Sequence, residues 1–103
     1  MKQNLLPENI DLDKVAPLWV VCSDRKSMER QFIFKDFQQA FEFMTLSAQY
    51  AEEINHHPDW SNSWNRVKVN LTTHSCGGLT ELDLRMAQKM NDLAEKLQPK
   101  PQC

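Results

Sequence analysis

The spacing of apolar and polar residues changes character several times along the chain, and each change predicts an element. Leu18-Trp19-Val20-Val21-Cys22 is a dense apolar run of strand length and β-rich composition. Ahead of it, Pro7, Pro17 and the acidic stretch from Glu8 to Asp13 leave room for no more than a short helix. Asp24-Arg25-Lys26-Ser27 carries turn chemistry, and Met28 to Phe34 reads as extended again. Within that second run Phe32 and Phe34 share one face while Gln31 and Ile33 take the other. Two strands around a short polar turn predict an antiparallel hairpin.

From Asp36 the period becomes helical. Its carboxylate can accept from the first free N–H groups, and Gln39 holds the capping-box position three residues on. Phe37, Ala40, Phe41, Met44, Ala48 and Ala51 form the expected apolar stripe, widened by Phe43, Tyr50 and Ile54. The stripe ends at Asn55, and Pro58 forbids continuation. After a stretch that reads as a short strand or loop, the period falls to two. Val67, Val69, Leu71 and Thr73 face one way, and Lys68, Asn70, Thr72 and His74 face the other, as in a half-buried strand. Gly77-Gly78 makes a turn. Thr80 then caps a last helix with Asp83 as its box partner, Leu79 and Leu84 as a hydrophobic staple, and a buried stripe of Leu82, Met86, Ala87, Met90, Leu93, Ala94 and Leu97. The order strand, strand, helix, strand or loop, strand, helix predicts an α+β fold.

A length of 103 residues allows one core and no second, so a single domain over 1–103 is expected, with its core at about 18–97 and a flexible tail at 98–103. A net charge of −2 with scattered Lys and Arg argues against a nucleic-acid partner. No apolar run approaches the ~20 residues of a membrane span, and the N-terminus lacks a signal-like apolar stretch; a cytoplasmic location is the expectation. Cys22, Cys76 and Cys103 are odd in number and widely spaced, which suits a reducing compartment better than a disulfide framework.

All three histidines fall in two short segments, His56-His57-Pro58 and Thr73-His74. Imidazole exchanges protons near neutral pH, and a helix C-terminus favours its charged form. Glu52, four residues before His56, could orient that ring if the helix reaches so far. Each residue also has a plain structural explanation: satisfied histidines, a solvated Glu52-Glu53 face, Asp83 as a cap. Trp60 and Trp64 could be core plugs or a platform for a flat ligand. His56, His57, His74 and Cys76 could supply four zinc ligands on paper, but adjacent histidines diverge and His-x-Cys is not a zinc-knuckle spacing, so no metal is expected. Nothing near Cys76 marks it as a nucleophile.

Glu52-x-x-x-His56-His57-Pro58-x-Trp60, followed by Leu71-Thr72-Thr73-His74-x-Cys76-x-Gly78-Leu79-Thr80-x-x-Asp83, resembles the pterin-4a-carbinolamine dehydratase family. The Phe32-x-Phe34-Lys35-Asp36-Phe37 approach to the helix is also similar to that family. The resemblance implies a two-layer fold, with a four-stranded antiparallel sheet carrying helices on one face, and homodimers often paired into homotetramers. It implies dehydration of a 4a-hydroxytetrahydropterin to a quinonoid dihydropterin, a lyase reaction in tetrahydrobiopterin recycling that needs no cofactor, with an aromatic amino-acid hydroxylase as a possible partner. By the same resemblance His56 and His74 do acid–base work, and His57, the third catalytic histidine, binds and orients the pterin and shares in proton transfer. Glu52 and Asp83 support the histidines, and Pro58 and Trp60 wall the ring. Trp64 stands where the family often has a smaller aromatic. The rival expectation is a non-catalytic binding module, a dimerisation cofactor or transcriptional coactivator acting through exposed Arg85, Lys89 and Asp92 of the last helix. Those three also read as an ordinary solvated face.

Overall fold

The computed structural model describes residues 5–6 and 11–97; the expected tail at 98–103 lies outside the described residues. A short helix α1 (Leu12–Val15) precedes strands β1 (Val20–Val21) and β2 (Met28–Ile33). Helix α2 (Phe37–Ile54), strands β3 (Asp59–Ser63) and β4 (Arg66–Leu71), a 3₁₀ turn (His74–Cys76) and helix α3 (Glu81–Leu97) follow. The strands form one sheet in the order β1-β2-β4-β3, antiparallel throughout, with Phe32 opposite Val67 and Trp60 opposite Val69. The α+β fold expected from the element order is the fold observed.

Period-two alternation puts Met28, Phe32, Val67, Val69 and Leu71 on one face, where each is buried. Both long helices cover this face. Phe43 of α2 packs its ring 4.6 Å from Phe32 and 5.0 Å from Phe34, and α3 buries Met86, Ala87, Met90, Leu93 and Ala94. Asn91 ties α3 to the sheet. Its Oδ1 accepts from Trp19 Nε1 at 2.8 Å and from the Arg30 guanidinium, while its amide donates to Pro17 O at 3.0 Å. Burial of Arg30 lowers its pKa below the ordinary guanidinium value.

Two expectations need correction. The apolar run Leu18–Cys22 yields only a two-residue strand, because Leu18 adopts a left-handed φ of 75° and is 70% exposed. On α2 the buried face is Ala40, Phe43, Ser47 and Ala51, whereas Phe37 and Phe41 are about half exposed and stack on each other at 5.8 Å. Apolar residues occur all round this helix, and the Phe32–Phe34 surface selects Phe43 to face it. Both predicted N-terminal caps are present. Asp36 Oδ1 accepts from Gln39 N at 2.8 Å, and Asp83 Oδ2 accepts from Thr80 N at 3.0 Å.

Candidate active site

The end of α2 determines where its two histidines go. Asn55 takes a left-handed φ of 54°, and the N–H of His56 returns to Ala51 O at 3.0 Å, a Schellman closure. The chain therefore reverses at Asn55, and consecutive imidazoles leave in different directions. His56 turns inward, with only 10% of its side chain exposed, and its Nε2 lies 2.6 Å from Asp83 Oδ1. His57 stays outside, and its Nε2 lies 2.6 Å from Glu52 Oε2. Glu52 thus partners His57 rather than His56. The four-residue spacing assumed helix through position 56, but α2 stops at Ile54.

The second segment is built around a tight loop. Thr73 follows the buried phase of β4, and its N–H donates to Gly78 O at 2.9 Å. Gly77 makes the reversal with a φ of +72°, the region where glycine has no Cβ penalty. At Gly78 a Cβ would stand 3.1 Å from a Leu5 methyl carbon, so the close packing of the N-terminal segment favours glycine there. This closure brings Thr73 and Thr80 together, their hydroxyl oxygens 2.8 Å apart, at the start of α3.

Asp83 is the point where the two segments meet. It is fully buried, and its two oxygens have different work. Oδ2 accepts from Thr73 Oγ1 at 2.7 Å and from Thr80 N, and Oδ1 faces His56. The capping explanation of Asp83 is correct and incomplete, since the carboxylate both caps α3 and engages an imidazole. His74, one residue beyond Thr73, is exposed, and its ring makes no hydrogen bond to another described residue. Among the described residues no three His, Cys, Asp or Glu side chains group as metal ligands. Two imidazoles are thus each paired with a carboxylate, His56 in the interior and His57 at the surface, while His74 stands exposed, next in sequence to Thr73.

Pro58 and Trp60 are half-buried, with Trp60 packed against the core from β3. Trp64 is 64% exposed in the β3–β4 turn, in a left-handed conformation, and plugs no core. On α3, Arg85 bonds Glu81 at 3.0 Å and Lys89 lies over the Tyr50 ring at 5.4 Å, which leaves Asp92 as the exposed member of that trio without such a contact. No helix among the described residues is long and apolar enough to cross a membrane. Thr73 is the residue for which sequence reasoning assigned no role. The available signal was its phase: a hydroxyl on the same buried side as Val67, Val69 and Leu71 must find a partner.

Comparison with known proteins places these features in context. The family model described as pterin 4 alpha carbinolamine dehydratase matches residues 3–93. Proteins of Brucella ovis and Brucella canis named "Putative pterin-4-alpha-carbinolamine dehydratase" are 53% identical over 96 residues, covering 91% of this chain and 99% of theirs. A crystal structure of a transcriptional coactivator/pterin dehydratase from Brucella melitensis superposes with a TM-score of 0.81 at 46% identity, covering 88% of this chain and 99% of that one. A pterin dehydratase-like protein described as a RuBisCO assembly factor in the alpha-carboxysome shares the fold, with a TM-score of 0.63 at 22% identity over 74% of this chain and 88% of that one.

Proposed function

The chain belongs to the pterin 4 alpha carbinolamine dehydratase family, and from that premise we propose that it catalyses loss of water from a 4a-hydroxytetrahydropterin. In the reaction the N5–H bond and the C4a–O bond break and a C4a=N5 double bond forms. The 4a-hydroxyl leaves as water once protonated, and the product is a quinonoid dihydropterin. No electrons enter or leave the substrate, so the work is one proton delivered and one removed, which suits groups that titrate near neutrality.

The observation that carries this reading is the buried carboxylate of Asp83, bonded at once to His56 and to Thr73, the residue before His74. One side chain thereby ties together both histidine-bearing segments of the chain. We assign His56 and His74 to the acid–base steps and His57, steadied by Glu52, to holding the pterin. Pro58 and Trp60 supply the wall for the flat ring. In this reading the protein serves aromatic amino-acid hydroxylases in the cytoplasm as a homodimer or homotetramer.

The test is to generate the 4a-carbinolamine with a hydroxylase and follow its dehydration by absorbance with and without this protein. Acceleration at catalytic protein levels is expected. His56→Ala and His74→Ala should each lower the rate by about 10²–10⁴-fold, the usual loss for a missing acid or base. An unaccelerated reaction refutes the dehydratase reading and leaves the binding-module alternative. Full rate in both folded variants refutes the residue roles.

A further inference from the structure

The hydroxyls of Thr73 and Thr80 form a directed chain that ends on the His56–Asp83 pair. Each hydroxyl has a single proton to give. Thr73 donates its proton to Asp83 Oδ2 at 2.7 Å, so the 2.8 Å contact between the hydroxyls must carry the proton of Thr80 toward Thr73. Thr80 Oγ1 is itself oriented by the N–H of Leu82 at 3.3 Å. Oδ2 also receives the Thr80 N–H at 3.0 Å, so that oxygen is occupied by two donors. The remaining oxygen, Oδ1, is left for His56 Nε2 at 2.6 Å. All four participating residues are buried, so solvent does not offer replacements for these bonds.

We propose that Thr73 is a positioning residue: by filling Oδ2 it fixes the rotation of the Asp83 carboxylate, which holds a proton on His56 Nε2 and leaves Nδ1 as the nitrogen available to substrate. This rests on the dehydratase reading for its catalytic consequence, while the proton placement itself stands apart from any activity. The physical logic is that of any oriented imidazole, in which the partner of one ring nitrogen decides the state of the other. Hydroxyl and amide donors converge on one carboxylate oxygen, and the geometry distinguishes the two oxygens before any ligand arrives.

The sharpest consequence concerns Asp83→Asn. Thr73 and Thr80 both present donors to the Oδ2 position, so the new amide must place its oxygen there and aim its NH₂ at His56. Nε2 then becomes an acceptor and the ring proton moves to Nδ1. Nitrogen-15 NMR of the imidazole, recorded without substrate on the neutral ring, reads this directly. The expected result is Nε2–H in the natural protein and Nδ1–H in Asp83→Asn. Thr73→Val, which keeps the shape and deletes the hydroxyl, should lower kcat for carbinolamine dehydration about 10-fold with KM nearly unchanged, and Thr73→Ser should restore it.

A natural protein carrying its neutral proton on Nδ1, or an Asp83→Asn protein that keeps it on Nε2, overturns the proposal. So does a folded Thr73→Val protein with unchanged kcat. If Thr73→Val fails to fold, Thr73→Ala reads the same loss of kcat; if Asp83→Asn fails to fold, the tautomer of the natural protein still decides the proton placement. Absence of dehydration by the natural protein refutes the proposed function, whereas the tautomer result tests the proton placement on His56 without it.

Discussion

Replacing Asp83 by alanine should be among the most damaging single changes to the described domain. The side chain is fully buried and makes bonds of 2.6 Å to His56, 2.7 Å to Thr73 and 3.0 Å to the Thr80 N–H. Alanine removes the acceptor and strands three donors. Each buried donor without a partner costs about 1–3 kcal/mol, and the lost cap of α3 costs about 1 kcal/mol. These terms overlap, because the emptied site can relax or admit water, so about 4 kcal/mol is a reasonable total. That places it among the large single-site losses that follow when a buried hydrogen-bond network is broken. It is also a large share of the roughly 5–15 kcal/mol that holds such domains together. Urea unfolding followed by tryptophan fluorescence and far-UV circular dichroism is the assay. At an m-value of about 1.5 kcal/mol/M, the midpoint should fall by roughly 2–3 M. The Glu52–His57 pair is the built-in control, having the same 2.6 Å separation but with side chains 77% and 56% exposed. Solvent screening leaves such a pair with less than about 1 kcal/mol, so Glu52→Ala should move the midpoint far less than Asp83→Ala. An Asp83→Ala midpoint within about 0.5 M of the natural protein would refute the claim that burial, rather than distance, determines the energy of these two contacts.

Three further outcomes follow from single positions. Ser47 buries its hydroxyl with no hydrogen-bond partner among the described residues, so Ser47→Ala should be neutral or raise unfolding free energy by up to about 1 kcal/mol in the same titration. Asn55 closes α2 at a φ of 54°; Asn55→Gly should keep full stability, whereas Asn55→Val should lose about 1–2 kcal/mol and disturb the His56 ring resonances in NMR. Asn91 serves Trp19, Arg30 and Pro17 together, so Asn91→Ala should cost about 2–3 kcal/mol and alter tryptophan fluorescence in the native state.

Much of the fold was legible because its signals are local. A period-two run such as Val67, Val69, Leu71 can bury one face only as a strand, and Asp36 and Thr80 begin helices because short polar side chains suit free N–H groups. The α2 face was misread for a definite reason. With Phe37, Ala40, Phe41, Phe43 and Met44 spread round the helix, periodicity cannot say which ring meets the sheet, and a partner surface must choose. Leu18 shows the same limit for strands, since a dense apolar composition does not oblige the backbone to stay extended.

At the candidate site, the amino-acid order determined the chemical inventory: three histidines in two segments, two carboxylates near them, and a hydroxyl on the buried side of a strand. Which carboxylate serves which imidazole was decided only by tertiary structure. The reversal at Asn55 sends His56 inward and His57 outward, and packing of α3 against α2 delivers Asp83 to the inward ring, 27 positions away in sequence. Local spacing favoured Glu52 for His56 because it can count helical turns but cannot see where a helix stops or what lies across the core. Contacts between distant segments depend on how elements pack, and packing belongs to the whole chain at once.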